Sequence, residues 1–231
     1  MKTMVCVPCG DNMAPEFVKS LVRMQKKGEV VYEFVQSSIL FKNRNELAER
    51  AIAENTDYTL WLDTDMIFPD SLMFDLMADM EGRDFVTGVC HMRRPPYRPC
   101  IWKKIRRGLT EEENEAEGYD DYPRDGIFRI EGCGFACVMV RTGLLKTVID
   151  TYHEAFAPIP GYGEDISFCL RARACGFDLH CDPGIQIGHM GQIVVTDDSF
   201  QAYRRAEEAM KRREDHAEGM QAGAEGDGRS V

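Results

Sequence analysis

Runs of apolar residues alternate with helical periodicity through the first half of the chain. Met4–Pro8 is a short apolar strand that ends in the turn Pro8-Cys9-Gly10-Asp11. Pro15 suits the first turn of a helix, and Phe17, Val18, Leu21, Val22 and Met24 follow at helical spacing up to Gly28. Val30–Val35 predicts a second strand. Asn43–Asn55 predicts a helix with Leu47, Ala48, Ala51 and Ile52 on one face. Tyr58–Leu62 is apolar apart from Thr59, as a central strand buried on both faces would be. A helix over Pro69–Met80 and a strand over Asp84–Val89 complete the series. Strands separated by helices of this length imply a parallel sheet covered by helices on both faces.

The pattern then breaks. From Cys90 to Asp125 the chain is polar, with Pro95, Pro96, Pro99 and Pro123 and the acidic run Glu111-Glu112-Glu113. A long loop is predicted there, with one strand around Arg98–Lys103; loops of this length in a compact domain are usually functional. Ile127–Glu131 and Ala136–Val140 read as strands flanking Gly132-Cys133-Gly134, and Leu144–Tyr152 as a helix. A second helix over Asp165–Cys175 stops at Gly176, and Asp178–Cys181 is a short strand. A helix is expected over Phe200–Glu214, and Gly219–Val231 has the composition of a disordered tail.

Composition narrows this to a single α/β domain with a mostly parallel sheet, expected over residues 1–198, followed by a C-terminal helix and flexible tail over 199–231. Of the 231 residues, 44% are hydrophobic and 29% charged. A folded chain of this length buries about seven-tenths of its extended surface, so a full core forms without disulfide or metal staples. The net charge of −11 argues against a broad nucleic-acid-binding face. An anionic ligand would need local neutralisation, for which a carboxylate-held divalent metal is the usual device. No apolar run is long enough to span a membrane, and the N-terminus lacks the features of a signal peptide. The nine cysteines therefore read as reduced, buried thiols, and a cytoplasmic location is expected.

Several clusters carry chemistry. Leu60-Trp61-Leu62-Asp63-Thr64-Asp65 places two carboxylates at the C-terminal end of a buried strand, where open α/β sheets bind ligands. Alternate residues of an extended strand share a face, so both acids can converge on one cation; they can equally be solvated acids opening a turn. Glu164-Asp165 opens a helix after Gly163, either as plain capping residues or with one carboxylate as a general base. His189, in Gly188-His189-Met190-Gly191, is a structural histidine or a third metal ligand, and imidazole suits Mn2+ better than Mg2+. Arg44-Asn45 near a helix N-terminus and the Gly132-Cys133-Gly134 turn are weaker candidates for ligand contact. Cys6-x-x-Cys9 lacks the helix that a dithiol redox site would open and the second ligand pair that zinc would need.

Taken together and in order, these motifs resemble small GT-A fold glycosyltransferases of the inverting, family-2-like type found in bacteria and phages. The resemblance rests on Arg44–Ala48, Leu60–Pro69, Gly132–Cys137, Gly163–Arg173 and Gly188–Gly191, and spans about residues 3–197. It implies a nucleotide-sugar donor (a UDP- or GDP-sugar), a glycan or other hydroxyl acceptor, and Mn2+ or Mg2+. On that resemblance Asp65 would ligate the metal, Asp63 would face the ribose or the metal's waters, and His189 would complete the shell. Asp165 would be the base, with Glu164 beside it as the second choice. Pro8, Arg44, Asn45 and Gly134 would border the donor, and the Cys90–Asp125 loop would lie over the acceptor as a lid. The chain departs from the pattern in reading Pro-Cys-Gly-Asp after the first strand, and Gln36-Ser37-Ser38 offers no acid to read the base. Two other readings compete. Asp63-Thr64-Asp65, with Asp197-Asp198 as a late acidic pair, resembles a haloacid-dehalogenase-type phosphatase, and the fold could also serve as an inactive sugar-binding module.

Overall fold

Alternation along the first strand sets the architecture. In β1 (Lys2–Cys9) the even residues Met4 and Cys6 enter one apolar core, while Val5, Val7 and Cys9 enter another on the opposite face. In this computed structural model, which describes residues 1–191 together with 197, 201, 202, 204–206, 208 and 209, the same division runs through the whole sheet. Next in order come α1 (Pro15–Arg23), β2 (Glu29–Gln36), α2 (Leu40–Ala53), β3 (Tyr58–Leu62), β4 (Met66–Ile67), α3 (Leu72–Asp79) and β5 (Phe85–Cys90). Then follow β6 (Ile101–Arg106), β7 (Glu115–Gly118), β8 (Phe128–Ile130), β9 (Gly132–Cys133), β10 (Cys137–Arg141), α4 (Thr142–Tyr152), α5 (Glu164–Ala174) and β11 (Leu179–His189). Helices α2, α4 and α5 cover the face holding Trp61, Phe85 and Val138; α1 and α3 cover the face holding Leu60, Val86 and Met139.

The main sheet has the order β2-β1-β3-β10-β5-β11-β4, with β8 also on β11. Strands β2, β1, β3, β5 and β11 run one way, and β10 runs against its neighbours β3 and β5. The α/β architecture agrees with the sequence pattern, but the sheet is mixed rather than mostly parallel, with three parallel and four antiparallel pairings, because β10 inserts between β3 and β5 and because β4 and β8 run against β11. The C-terminal ends of β1, β3, β5 and β11 and the N-terminal end of β10 therefore meet along one edge. Because β1 is flanked by both β2 and β3, the strand order reverses at that edge, where open α/β sheets bind ligands.

The segment after β5 is more ordered than a polar loop implies. β6 pairs with both β7 and β9 to form a second, three-stranded antiparallel sheet. It is tied to the main sheet where the Cys100 N–H donates to the Cys90 carbonyl at 2.8 Å. Cys6 and Cys9 enter different cores, which removes any dithiol role for that pair. Met1–Gly191 forms one compact unit. The helix expected over 200–214 falls partly outside the described residues; those described within it are helical, with Arg204 3.4 Å from Glu208 one turn on. Asp198 and the tail from 219 lie outside them. Among the described residues no helix is long and apolar enough to cross a membrane.

Candidate active site

Trp61, Phe85, Phe135, Phe156 and Phe168 pack edge-to-face and stacked beneath the binding edge, with centroids 4.7 to 6.4 Å apart. On this floor lies Arg44, only 1% exposed although charged. Its guanidinium sits over the Phe135 ring at 5.4 Å and donates to the Phe135 carbonyl at 3.4 Å. Nη2 donates to Asp63 Oδ1 at 2.9 Å, and Nε lies 3.5 Å from Glu164 Oε1 without hydrogen-bond geometry. A buried charge persists only when it is paired. Arg44 thus ties α2 to the end of β3 and the start of α5, and it is a strut beneath the site.

The two acids of the Asp63-Thr64-Asp65 motif do not share one face. β3 ends at Leu62, and the chain turns, with the Met66 N–H donating to the Asp63 carbonyl at 3.3 Å. Asp63 points inward to Arg44. Burial pushes its pKa up and Arg44 pulls it back, with the charges of Asp65 and Glu164 adding to the rise. Asp65 takes different partners: its Oδ2 accepts from Arg93 Nη1 at 2.9 Å and lies 3.3 Å from His189 Nε2. The backbone joins these ends too, through Met190 N–H to the Asp65 carbonyl at 2.9 Å.

His189 is held at the C-terminal end of β11, with Nδ1 2.8 Å from the His91 carbonyl oxygen. A carbonyl only accepts, so Nδ1 carries the hydrogen, and in the neutral ring the Nε2 lone pair faces Asp65. The two acceptors are 3.3 Å apart, a spacing that suits a shared cation. This donor set, one carboxylate and one imidazole, fits Mn2+ or Mg2+ completed by water and phosphate oxygens. Among the described residues no three His, Cys, Asp or Glu side chains are grouped to hold a metal. Asp65 and His189 are therefore a pair, and Asp63 stands apart from them.

Asp165 lies in the first turn of α5. Its Oδ1 accepts from the Ile166 N–H at 2.7 Å, while a Cβ built on Gly134 would lie 3.7 Å from its Oδ2. The glycine keeps the space before that oxygen open. Burial, followed by the charge of Glu164, pushes the Asp165 carboxyl up to about 6, against the pull of the Ile166 N–H and Arg44. A carboxylate of that basicity accepts a proton readily near neutral pH.

Of the remaining candidates, Pro8 is buried in β1, and Gly134 donates its N–H to the Cys100 carbonyl at 3.0 Å. Asn45 is only 8% exposed; its Oδ1 accepts from the Phe156 N–H at 2.8 Å, which makes it a brace for the chain entering α5. The structure also brings in Arg93 and the His91 carbonyl, for which local sequence holds no signal beyond a basic dipeptide, Arg93-Arg94.

No protein-family model matches the chain, and no curated protein sequence does. Solved structures do. A197 from STIV superposes with a TM-score of 0.59 at 17% identity, covering 83% of this chain and 87% of that one. GalNAc-T7, solved with UDP, GalNAc and Mn2+, gives a TM-score of 0.56 at 9% identity over 83% of this chain and 43% of that one. S. aureus TarS 1-349 gives 0.53 at 16% identity over 82% of this chain and 60% of that one. The chain spans 43% of the GalNAc-T7 chain and 60% of TarS 1-349, less than two thirds of either, and it has the GT-A fold.

Proposed function

We propose that this protein transfers a glycosyl group from a nucleotide-sugar donor, a UDP- or GDP-sugar, to an acceptor hydroxyl with inversion. The observation that carries the reading is Asp165 at the start of α5, whose Oδ2 faces Gly134 and whose carboxyl is pushed up by burial to about 6, together with the Asp65–His189 pair. The acceptor hydroxyl docks before Asp165 Oδ2 and gives its proton to that oxygen. Its own oxygen attacks the anomeric carbon as the bond from that carbon to the diphosphate oxygen breaks, and the nucleoside diphosphate departs with the bonding pair. Single displacement inverts the configuration.

Asp65 and His189 would hold a divalent metal, and Mn2+ or Mg2+ bound there would neutralise the leaving diphosphate. Asp63 is braced by Arg44 and presents its remaining oxygen to the donor's ribose. Pro8 and the turn after β1 border the nucleoside, Asn45 keeps the chain before α5 in place, and Gly134 makes room for the donor sugar. Glu164 raises the basicity of Asp165 by its charge. The phosphatase reading is less well supported, because Arg44 already occupies one oxygen of Asp63, the nucleophile that chemistry needs.

The test is a thermal-shift panel of nucleoside diphosphates and nucleotide sugars, each with Mn2+ and with chelator, followed by assay of diphosphate release. One nucleotide should stabilise the protein by about 2.7 kcal/mol at a hundredfold excess over its dissociation constant, only with metal. Release of inorganic phosphate, or no shift with any nucleotide, overturns the reading.

A further inference from the structure

Each acid of the Asp63-Thr64-Asp65 motif already faces a guanidinium, and the two arginines differ in kind. Arg44 is built into the floor. Arg93 stands on the loop between β5 and β6 with its side chain 55% exposed, and it reaches Asp65 Oδ2 at 2.9 Å. The same oxygen is the one that lies 3.3 Å from His189 Nε2. The loop backbone is pressed against the end of β11, since a Cβ on Gly191 would fall 2.8 Å from the Arg93 carbonyl oxygen. The side chain is thus delivered to Asp65 from a fixed base, yet an exposed ion pair of this sort is weakly held. A guanidinium and a dication compete for one carboxylate oxygen, because their charges repel at that distance.

We propose that Arg93 is a resident counter-cation that a divalent metal displaces from Asp65, and that the displaced guanidinium then pairs with the donor's diphosphate. The second step rests on the glycosyl-transfer reading; the first rests on the contacts around Asp65 alone. In the free protein the pair keeps Asp65 neutralised beside Asp63 in a chain whose net charge is −11. Once displaced, an arginine on a long exposed stem suits phosphate oxygens, which its fork of N–H groups binds in pairs.

The experiment uses the full chain and reads Mn2+ binding without nucleotide, from the paramagnetic resonance signal of the free ion. R93Q should bind Mn2+ about tenfold more tightly than wild type, because the competing charge is gone. R93K, which keeps the charge, should bind as wild type does, and so should R94Q, whose side chain is exposed on the same loop. With Mn2+ saturating, R93Q should then bind a nucleoside diphosphate about tenfold more weakly. Unchanged or weakened Mn2+ affinity in R93Q overturns displacement, and so does an equal gain in R94Q, which would mark a general field effect. Failure of the glycosyl-transfer reading looks different. No nucleotide sugar would then be turned over and the diphosphate step would fall, while a tighter grip on Mn2+ by R93Q would still establish displacement.

Discussion

Replacing Asp165 with Asn should make the protein more stable at neutral pH while ending transfer. The carboxyl is raised from 3.8 to about 6, first by burial and then by the charge of Glu164. A carboxyl whose folded pKa exceeds its unfolded value binds its proton more tightly when folded, so its ionised form opposes folding. Below about pH 4 both states are protonated and the effect vanishes. Between about pH 4 and 6 the unfolded chain gives up its proton first and stability falls; above that range the penalty is complete. The gap is worth up to about 3 kcal/mol at 1.4 kcal/mol per pH unit, or about 6–12 °C in Tm for a chain of this size. Asn retains the oxygen that accepts from Ile166 and sheds only the charge.

The assay is a Tm series across that pH range for wild type and D165N, beside the rate of nucleoside diphosphate release. The Tm advantage of D165N should be large at neutral pH and shrink to nothing as pH falls through 6 to about 4. Wild-type transfer should rise with pH about an apparent pKa near 6, and D165N should be inactive throughout yet keep its donor-induced Tm shift. A D165N protein that gains no more at neutral pH than at acid pH would refute the reasoning, as would a wild-type rate that is flat through pH 6.

R44M strips Asp63 and Glu164 of their buried partner and should destabilise the fold by about 3–5 kcal/mol at neutral pH, read by urea unfolding; a loss below about 1 kcal/mol would show that the charge is not needed there. G132A puts a Cβ 2.4 Å from Ile105 Cδ1 and 3.3 Å from Ile166 Cδ1. Ile105 is only 1% exposed, so little room exists for it to yield. A thermal scan should show about 1–3 kcal/mol lost. G134A meets only ordinary contacts, 3.5 Å to Cys100 Cβ and 3.7 Å to Asp165 Oδ2, so its stability should stay within about 1 kcal/mol of wild type. Its methyl crowds the base, and transfer should fall about tenfold or more at unchanged donor affinity.

Elements buried on both faces are legible in the sequence because their composition has no other use. Tyr58–Leu62 is β3 at both ends, and Met4–Pro8 lies inside β1. What is not legible depends on backbone pairing. β7 reads Glu-Ala-Glu-Gly, three of its four positions are exposed, and it is a strand because β6 lies beside it. β11 extends far past Cys181, through Asp182-Pro183-Gly184, which reads as a turn. The register against β5 shifts between Cys181 and Gln186, so the sheet absorbs those residues as a bulge and the strand continues to His189.

The same distinction holds at the site. The residue types that carry the chemistry stand out locally, since acids at a strand end and at a helix start are few. Their pairing does not, because it is decided by residues far away in sequence. A spacing of two aligns Asp63 with Asp65 only while the strand continues, and it stops at Leu62. Arg44, from α2, draws one acid down into the floor and reaches toward Glu164 with the same guanidinium. That leaves Asp65 alone on the rim with His189 and a loosely held arginine. The division has a chemical consequence. The inner acid adds its negative charge to that of Glu164 and raises Asp165, while Asp65 pairs instead with Arg93 and His189. Had both acids faced one cation, that cation would have lowered the basicity of Asp165, the proposed base.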